Sequence, residues 1–208
     1  MKLEKKLRIL KPLVRKKYYE EKNKHKERKV FTIIIIGGSQ GAKIFDNLLH
    51  EIVAKISKNL TIKVIHQTSE NNRNFLINFY NENQIENHVF VFEKDLNKFL
   101  IESDLCITRA GASSLAELSL LKIPFIAIPL PSSLDNHQYQ NAKHYQDLGT
   151  CWIINQKNFE KQTFEHLLFN IIKNKEEYSQ KKKNLDNLNY QNTWNNVNQN
   201  LLSILNEN

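Results

Sequence analysis

Four of the chain's five glycines fall in two short loops, each placed between a stretch that reads as a strand and one that reads as a helix. Glycine is favoured where φ must be positive or where a ligand must approach the backbone closely, so this confinement points to positional need. The first loop is Gly37-Gly38-Ser39-Gln40-Gly41-Ala42, ahead of a helix that begins near Lys43. Strand, glycine-rich turn and helix N-terminus together make an anion site, because N–H groups and the helix dipole both point at the ligand. It is not a Walker A loop: Ala42 stands where the second glycine belongs, and Ile44 follows Lys43 where Ser or Thr would hold magnesium. The dinucleotide spacing Gly-x-Gly-x-x-Gly is also absent, and the second strand ends at His66-Gln67 rather than at an acid for a ribose. A tight turn without a ligand is the alternative reading.

The second loop runs Thr108-Arg109-Ala110-Gly111-Ala112-Ser113-Ser114 and leads into Leu115-Ala116-Glu117. Ser114 and Glu117 have the spacing of a capping box, which accounts for both residues structurally. The functional alternative is that small residues let a ligand lie against the helix N-terminus while Glu117 accepts two hydroxyls of a ribose. A third element is Pro129-Leu130-Pro131 followed by Asp135-Asn136-His137-Gln138-Tyr139-Gln140-Asn141-Ala142. The prolines end a strand, Asp135 suits an N-cap, and the amide and imidazole groups at 136 to 138 can hydrogen-bond sugar hydroxyls. The fifth glycine, Gly149, reads as a helix C-cap.

The elements that must position these groups alternate regularly. Strand-length apolar runs occur at Val30 to Ile36, Leu60 to Ile65, Val89 to Phe92, Leu105 to Thr108, Pro124 to Pro129 and Cys151 to Ile154. Between them, helical spacing of apolar residues predicts helices over Ile44 to Ile56, Arg73 to Tyr80, Leu96 to Ile101, Ser114 to Leu121 and Asn136 to Leu148. Such alternation implies βαβ units and a doubly wound α/β domain around a parallel sheet, with ligands bound outside the carboxyl ends of its strands. The tail predicts a helix over Phe159 to Ile172, a solvated stretch that includes Lys181 to Lys183 and the polar residues Asn184 to Asn200, and a last helix near Trp194 to Leu205. The organisation expected is therefore a basic leader or linker remnant at 1–29, a Rossmann-like domain at 30–175 and a helical tail at 176–208.

Composition narrows the class further. With 208 residues and 40% apolar content, one hydrophobic core can serve the whole chain. No apolar run approaches the roughly 20 residues of a bilayer span. Cys106 and Cys151 cannot form a disulfide framework, and the seven histidines lack zinc-ligand spacing, so neither a metal nor a cofactor is expected. The net charge of +8 is local: residues 1 to 30 carry +9 and the remainder −1. That run is either a solvated face or a patch drawn to an anionic membrane surface. Nucleic acid is not expected, since no aromatic-interleaved basic face accompanies it. The expected location is the cytoplasm, at most peripheral on the inner face of the plasma membrane.

The three elements, in this order and at these strand ends, resemble the carboxy-terminal donor-binding domain of the MurG family, glycosyltransferase family 28, over roughly residues 12 to 150. Gly37 to Ala42 reproduces that family's Gly-Gly-Ser-Gln-Gly-Ala loop, Arg109 to Glu117 its Arg-Ser-Gly-Ala stretch ending in Glu, and Asp135 to Ala142 its Asp-x-x-Gln and Asn-Ala segment. The resemblance implies the C-terminal half of a two-domain GT-B transferase that moves N-acetylglucosamine from UDP-GlcNAc to a lipid-linked muramyl-pentapeptide, forming lipid II for peptidoglycan synthesis. It implies that Gly38, Ser39 and Gln40 meet the diphosphate and that Ala112, Ser113 and Ser114, leading into Leu115 and Ala116, border uridine and phosphate. Glu117 would hold the ribose and Gln138, with His137, the sugar ring. Lys11-Pro12-Leu13-Val14-Arg15 resembles the family's Asn-Pro-Val-Arg junction, with Lys for Asn and one extra residue, and makes Arg15 a further donor contact. The acceptor site and the catalytic base would belong to an amino-terminal domain or subunit, so the chain would bind UDP-GlcNAc without transferring it alone. The alternative is a non-catalytic nucleotide-sugar-binding subunit recruited by a membrane partner.

Overall fold

The computed structural model describes residues 13–20, 30–38, 43–188 and 194–206. Its centre is a six-stranded, all-parallel sheet in the order β3-β2-β1-β4-β5-β6, with β1 at Phe31–Ile36, β2 at Ile62–Gln67, β3 at Glu86–Phe90, β4 at Leu105–Thr108, β5 at Phe125–Ala127 and β6 at Cys151–Ile153. The chain first moves outward from β1 to β3, then returns to β4 on the other side of β1. This reversal leaves β1 and β4 adjacent with the helices that follow them on opposite faces of the sheet, the switch point at which open α/β sheets bind ligands.

The run of four isoleucines shows why the sheet is covered on both faces. Side chains alternate along a strand, so Ile33 and Ile35 enter one core cluster while Ile34 and Ile36 enter the other. The first cluster is closed by α2 (Lys43–Ser57), α3 (Glu70–Glu82) and α7 (Lys161–Lys173), through residues such as Phe45, Leu49, Leu76, Phe164 and Leu168. The second is closed by α1 (Lys16–Glu20), α4 (Leu96–Ile101), α5 (Ala112–Leu120) and α6 (His137–Asp147), through Val14, Tyr18, Leu100, Leu115 and Tyr145. Cys106 is a buried member of this second layer, and burial pushes its thiol well above the usual range, which suits an inert core residue.

Two expectations require correction. The third strand is Glu86–Phe90 rather than Val89 to Phe92, because pairing with β2 extends into the polar residues Glu86 and Asn87; Phe92 lies beyond it and is 81% exposed. The stretch around the lysine run is more than solvated surface: Lys182 and Lys183 are exposed as expected, but they stand on a helix, α8 (Lys175–Asn187), capped by Asn174, whose side chain accepts from the Glu176 N–H. Fully buried Leu185 anchors it, Trp152 Nε1 donates to Glu177, and the Lys181 ammonium sits over the Trp152 ring, so it packs on the sheet domain although it lies past residue 175. The last helix, α9 (Trp194–Asn206), falls where the apolar spacing places it. Among the described residues, no helix is long and apolar enough to cross a membrane.

Candidate functional site

The loops after β1, β4 and β5 converge on a cleft of about 770 Å³ at the switch point. Gly37 and Gly38 form one wall, and Gly38 has φ +77°, a left-handed conformation that glycine adopts at little cost. Ser39, Gln40, Gly41 and Ala42 lie outside the described residues. The first residues of three helices line the same cleft: Lys43 and Ile44 of α2, Ser114 of α5, and His137 and Gln138 of α6. Three N-terminal dipole ends therefore share one space, together with the cations Arg109 and Lys43, and no carboxylate occurs among the described residues lining it. An anion is the ligand such a lining favours.

Arg109 was not singled out from the sequence as a site residue, yet it helps to shape the cleft. Its guanidinium stacks on the Phe45 ring at 5.0 Å and donates to the carbonyls of Ile128 at 3.0 Å and Pro129 at 3.4 Å. Partial burial draws its pKa down from the ordinary value, but an arginine remains charged. Its place within the second glycine loop was the signal available, because a cation beside a helix N-terminus is a phosphate-binding combination.

Gln138 joins two of the three loops. Its Oε1 accepts from Ala110 N at 3.2 Å and from Leu130 N at 3.0 Å, and Asn141 Nδ2 donates to the Ala110 carbonyl at 3.0 Å. The amide oxygen thus satisfies two backbone donors that the ends of β4 and β5 leave over. His137 is exposed, with Nδ1 donating to the Leu134 carbonyl at 2.7 Å. Asp135 is not the N-cap of α6; Asn136 is, in a left-handed conformation and with no side-chain cap bond, and Asp135 precedes it with φ 48°. The short asparagine and aspartate side chains tolerate this geometry where most residues do not.

Helix α5 departs further from expectation. Its N-cap is Gly111, so Ser114 is the third helical residue and Glu117 the sixth, one turn too far in for a capping box. Leu115 and Ala116 are fully buried in the core, and their side chains cannot reach a ligand; Ala112 and Ser113 are exposed at the helix start. Glu117 is buried and meets α1 instead. Arg15 Nε and Nη2 each lie 2.9 Å from Glu117 Oε1, and Arg15 Nη2 also donates to the Tyr18 hydroxyl at 2.8 Å. Partial burial opposes the Arg15 charge, but Glu117 and Tyr18 outweigh it and hold the guanidinium pKa above its usual value. Gly38, Ser114, His137 and Gln138 are thus brought together in one cleft, while Arg15 and Glu117 form a separate pair farther along α5.

Beside the first loop, a buried polar network supports α2. His66 Nδ1 lies 2.8 Å from the Tyr80 hydroxyl, His66 Nε2 lies 3.5 Å from Asp46 Oδ1, and Asn72 Nδ2 donates to Asp46 Oδ2 at 2.9 Å. Burial lowers the His66 pKa more than Asp46 raises it, so the ring is held neutral. Burial works against the Asp46 charge too, but the nearby His66 ring, the hydrogen bond from Asn72 and the neighbouring Thr68 prevail and hold its pKa below the usual carboxylate value. Among the described residues, no cluster of three metal-ligating side chains is present.

Known proteins resemble this chain in sequence and in fold. Residues 32–196 match the family model described as the glycosyltransferase family 28 C-terminal domain. The UDP-N-acetylglucosamine--N-acetylmuramyl-(pentapeptide) pyrophosphoryl-undecaprenol N-acetylglucosamine transferase of Pelagibacter ubique is 44% identical over 208 residues, all of this chain and 58% of that relative. The transferase of the same name from Rickettsia massiliae is 36% identical over 73% of this chain and 41% of its own length. The chain thus spans about half the length of these relatives. In structure it resembles the crystal structure of Acinetobacter baumannii MurG, with a TM-score of 0.75 and 23% identity over 92% of this chain and 53% of that one.

Proposed function

Because the chain belongs to the glycosyltransferase family 28 C-terminal domain family, we propose that it is the donor-binding half of a GT-B enzyme transferring N-acetylglucosamine from UDP-GlcNAc to a lipid-linked muramyl-pentapeptide. The observation that carries this reading is the cleft at the β1/β4 switch point, where three helix N-termini and two cations surround a space that no carboxylate lines among the described residues. A diphosphate is the part of the donor that such a field suits. Gly38, with Ser39 and Gln40, cradles it, and Ala112, Ser113 and Ser114 border the phosphate and uridine. Glu117 takes the ribose diol with Arg15 beside it, and His137 and Gln138 face the sugar.

In the complete reaction the acceptor hydroxyl attacks the anomeric carbon, the bond to the UDP oxygen breaks with inversion, and the proton passes to a base. That base belongs to an amino-terminal domain or subunit. This chain's contribution is to stabilise negative charge on departing UDP with fixed N–H groups and dipoles, a role that needs no metal ion. The charge of +9 over residues 1 to 30 suits attraction to an anionic membrane surface, where the lipid-linked acceptor resides. The corresponding location is cytoplasmic and peripheral.

Calorimetric titration of the purified chain with UDP-GlcNAc, with UDP-glucose, NAD and ATP as controls, tests the donor half of the reading. Saturable binding that prefers UDP-GlcNAc is expected, and no binding by the folded chain would overturn it. Adding an amino-terminal half from a relative should restore transfer, whereas binding without any restored transfer would favour a non-catalytic subunit.

A further inference from the structure

The Glu117 carboxylate is locked from behind by a residue that neither the glycine loops nor the cleft lining points to. Tyr18 is fully buried although it lies in a strongly basic stretch, and with Val14, four residues before it and just ahead of α1, it plugs this segment into the core beside α5. Its hydroxyl accepts from Arg15 Nη2 at 2.8 Å and lies close enough to Glu117 to feel the charge of that carboxylate. Burial, and then the Glu117 carboxylate, push the phenol well above its usual pKa, so it stays protonated. Arg15 would otherwise be free to swing, since its side chain is 62% exposed and exposed ion pairs hold little geometry. Lys17 fixes the same turn from outside by donating to the Lys94 carbonyl at 2.7 Å.

We propose that Tyr18 is a positioning residue of the nucleotide site, holding Arg15 and Glu117 in one arrangement so that the buried carboxylate is presented to a ligand diol without rearranging. The proposal rests on the reading of Glu117 as the ribose contact and extends it to a residue that touches no ligand. A carboxylate offers about four lone-pair sites; with both Arg15 donors directed to Oε1, the orientation left for a diol is fixed before the ligand arrives.

The test is a titration of the full chain and of Tyr18→Phe and Glu117→Gln with UDP and with 2′-deoxy-UDP, together with thermal melting of each. Tyr18→Phe keeps the ring and its packing and removes only the hydroxyl. It should weaken UDP binding about tenfold and reduce the preference for UDP over the deoxy analogue, with little change in Tm. Should Tyr18→Phe melt early, the preference ratio remains the deciding quantity, because lost stability alone weakens both ligands equally. If Glu117→Gln abolishes the preference while Tyr18→Phe leaves it intact, the positioning role is overturned and the ribose contact stands. If Glu117→Gln leaves the preference intact, or the unaltered chain binds no UDP, the ribose reading fails and this proposal with it.

Discussion

Arg15 reaches a single oxygen of Glu117 through two of its nitrogens, both at 2.9 Å, across 102 residues of sequence. The pair ties the segment before β1 to the sixth residue of α5, and its partners differ sharply in exposure: 62% for the arginine side chain and 8% for the glutamate. Replacing Glu117 by Gln should therefore leave Tm nearly unchanged, since the exposed arginine recovers water. UDP-GlcNAc binding should weaken by about 1 to 3 kcal/mol through loss of a charged acceptor. Parallel melting and calorimetry separate the two effects.

Gln138 presents the opposite balance. Removing its amide in Gln138→Ala leaves the Ala110 and Leu130 N–H groups without their acceptor, a cost of about 1 to 3 kcal/mol. Gln138→Glu keeps an acceptor at the same reach and should retain most of that stability while adding a negative charge to a cleft that no carboxylate lines among the described residues. Denaturant unfolding and donor titration should then diverge: the alanine variant is the less stable, and the glutamate variant binds the diphosphate poorly.

At Gly38 the constraint is conformational. A Cβ added there meets nothing within 4 Å, but φ is +77°. Gly38→Ala should cost about 1 kcal/mol or somewhat more through backbone strain, and Gly38→Asn less, because asparagine enters the left-handed region more readily. Equal losses for the two variants, measured by chemical denaturation, would point to a lost contact instead.

The network around α2 predicts a pH dependence. The folded-state pKa of His66 lies below the ordinary value near 6.5, so its neutral form contributes stability above that pH. As pH falls from about 6.5 the unfolded chain takes up the proton first, and stability declines. Asp46, also held below its ordinary value, adds a further loss as pH falls below about 4. Tm measured from pH 7.5 to 5 should drop in the native chain, and this slope should flatten in His66→Gln even if that variant starts lower.

Most of the sheet was legible because burial on both faces demands continuous apolar runs. Leu105–Thr108 and Leu96–Ile101 fall where spacing alone places them, and the four isoleucines mark β1. The errors arose where burial is partial. Edge strand β3 begins in polar residues that pair with β2, and α8 is held by Leu185, the Trp152 ring and a cap rather than by an apolar stripe. Asn174 followed by Glu176 and Glu177 was the available start signal for that helix. At the site, the Ser114 and Glu117 spacing suggested a cap, but the chain enters α5 at Gly111, and sequence spacing does not fix where a helix begins. Tyr18 was hidden by the lysines around it; Val14 and Tyr18, four residues apart, were the trace of its buried face.

Helix α5 is secured at both ends. Near its start, Ala110 is bonded to Gln138 and Asn141; just beyond its last turn, Lys122, with φ 60°, sends its ammonium to the carbonyls of Leu185 and Leu188 at the end of α8. A helix fastened this way can neither slide nor tilt to meet a ligand. Water around a free phosphate must reorient whenever charge moves between oxygens, whereas this dipole is already aligned, so the energy of reorganising the surroundings has been spent during folding and is not demanded again when the leaving group departs. The distant docking of α8 is thereby part of the electrostatics of the cleft.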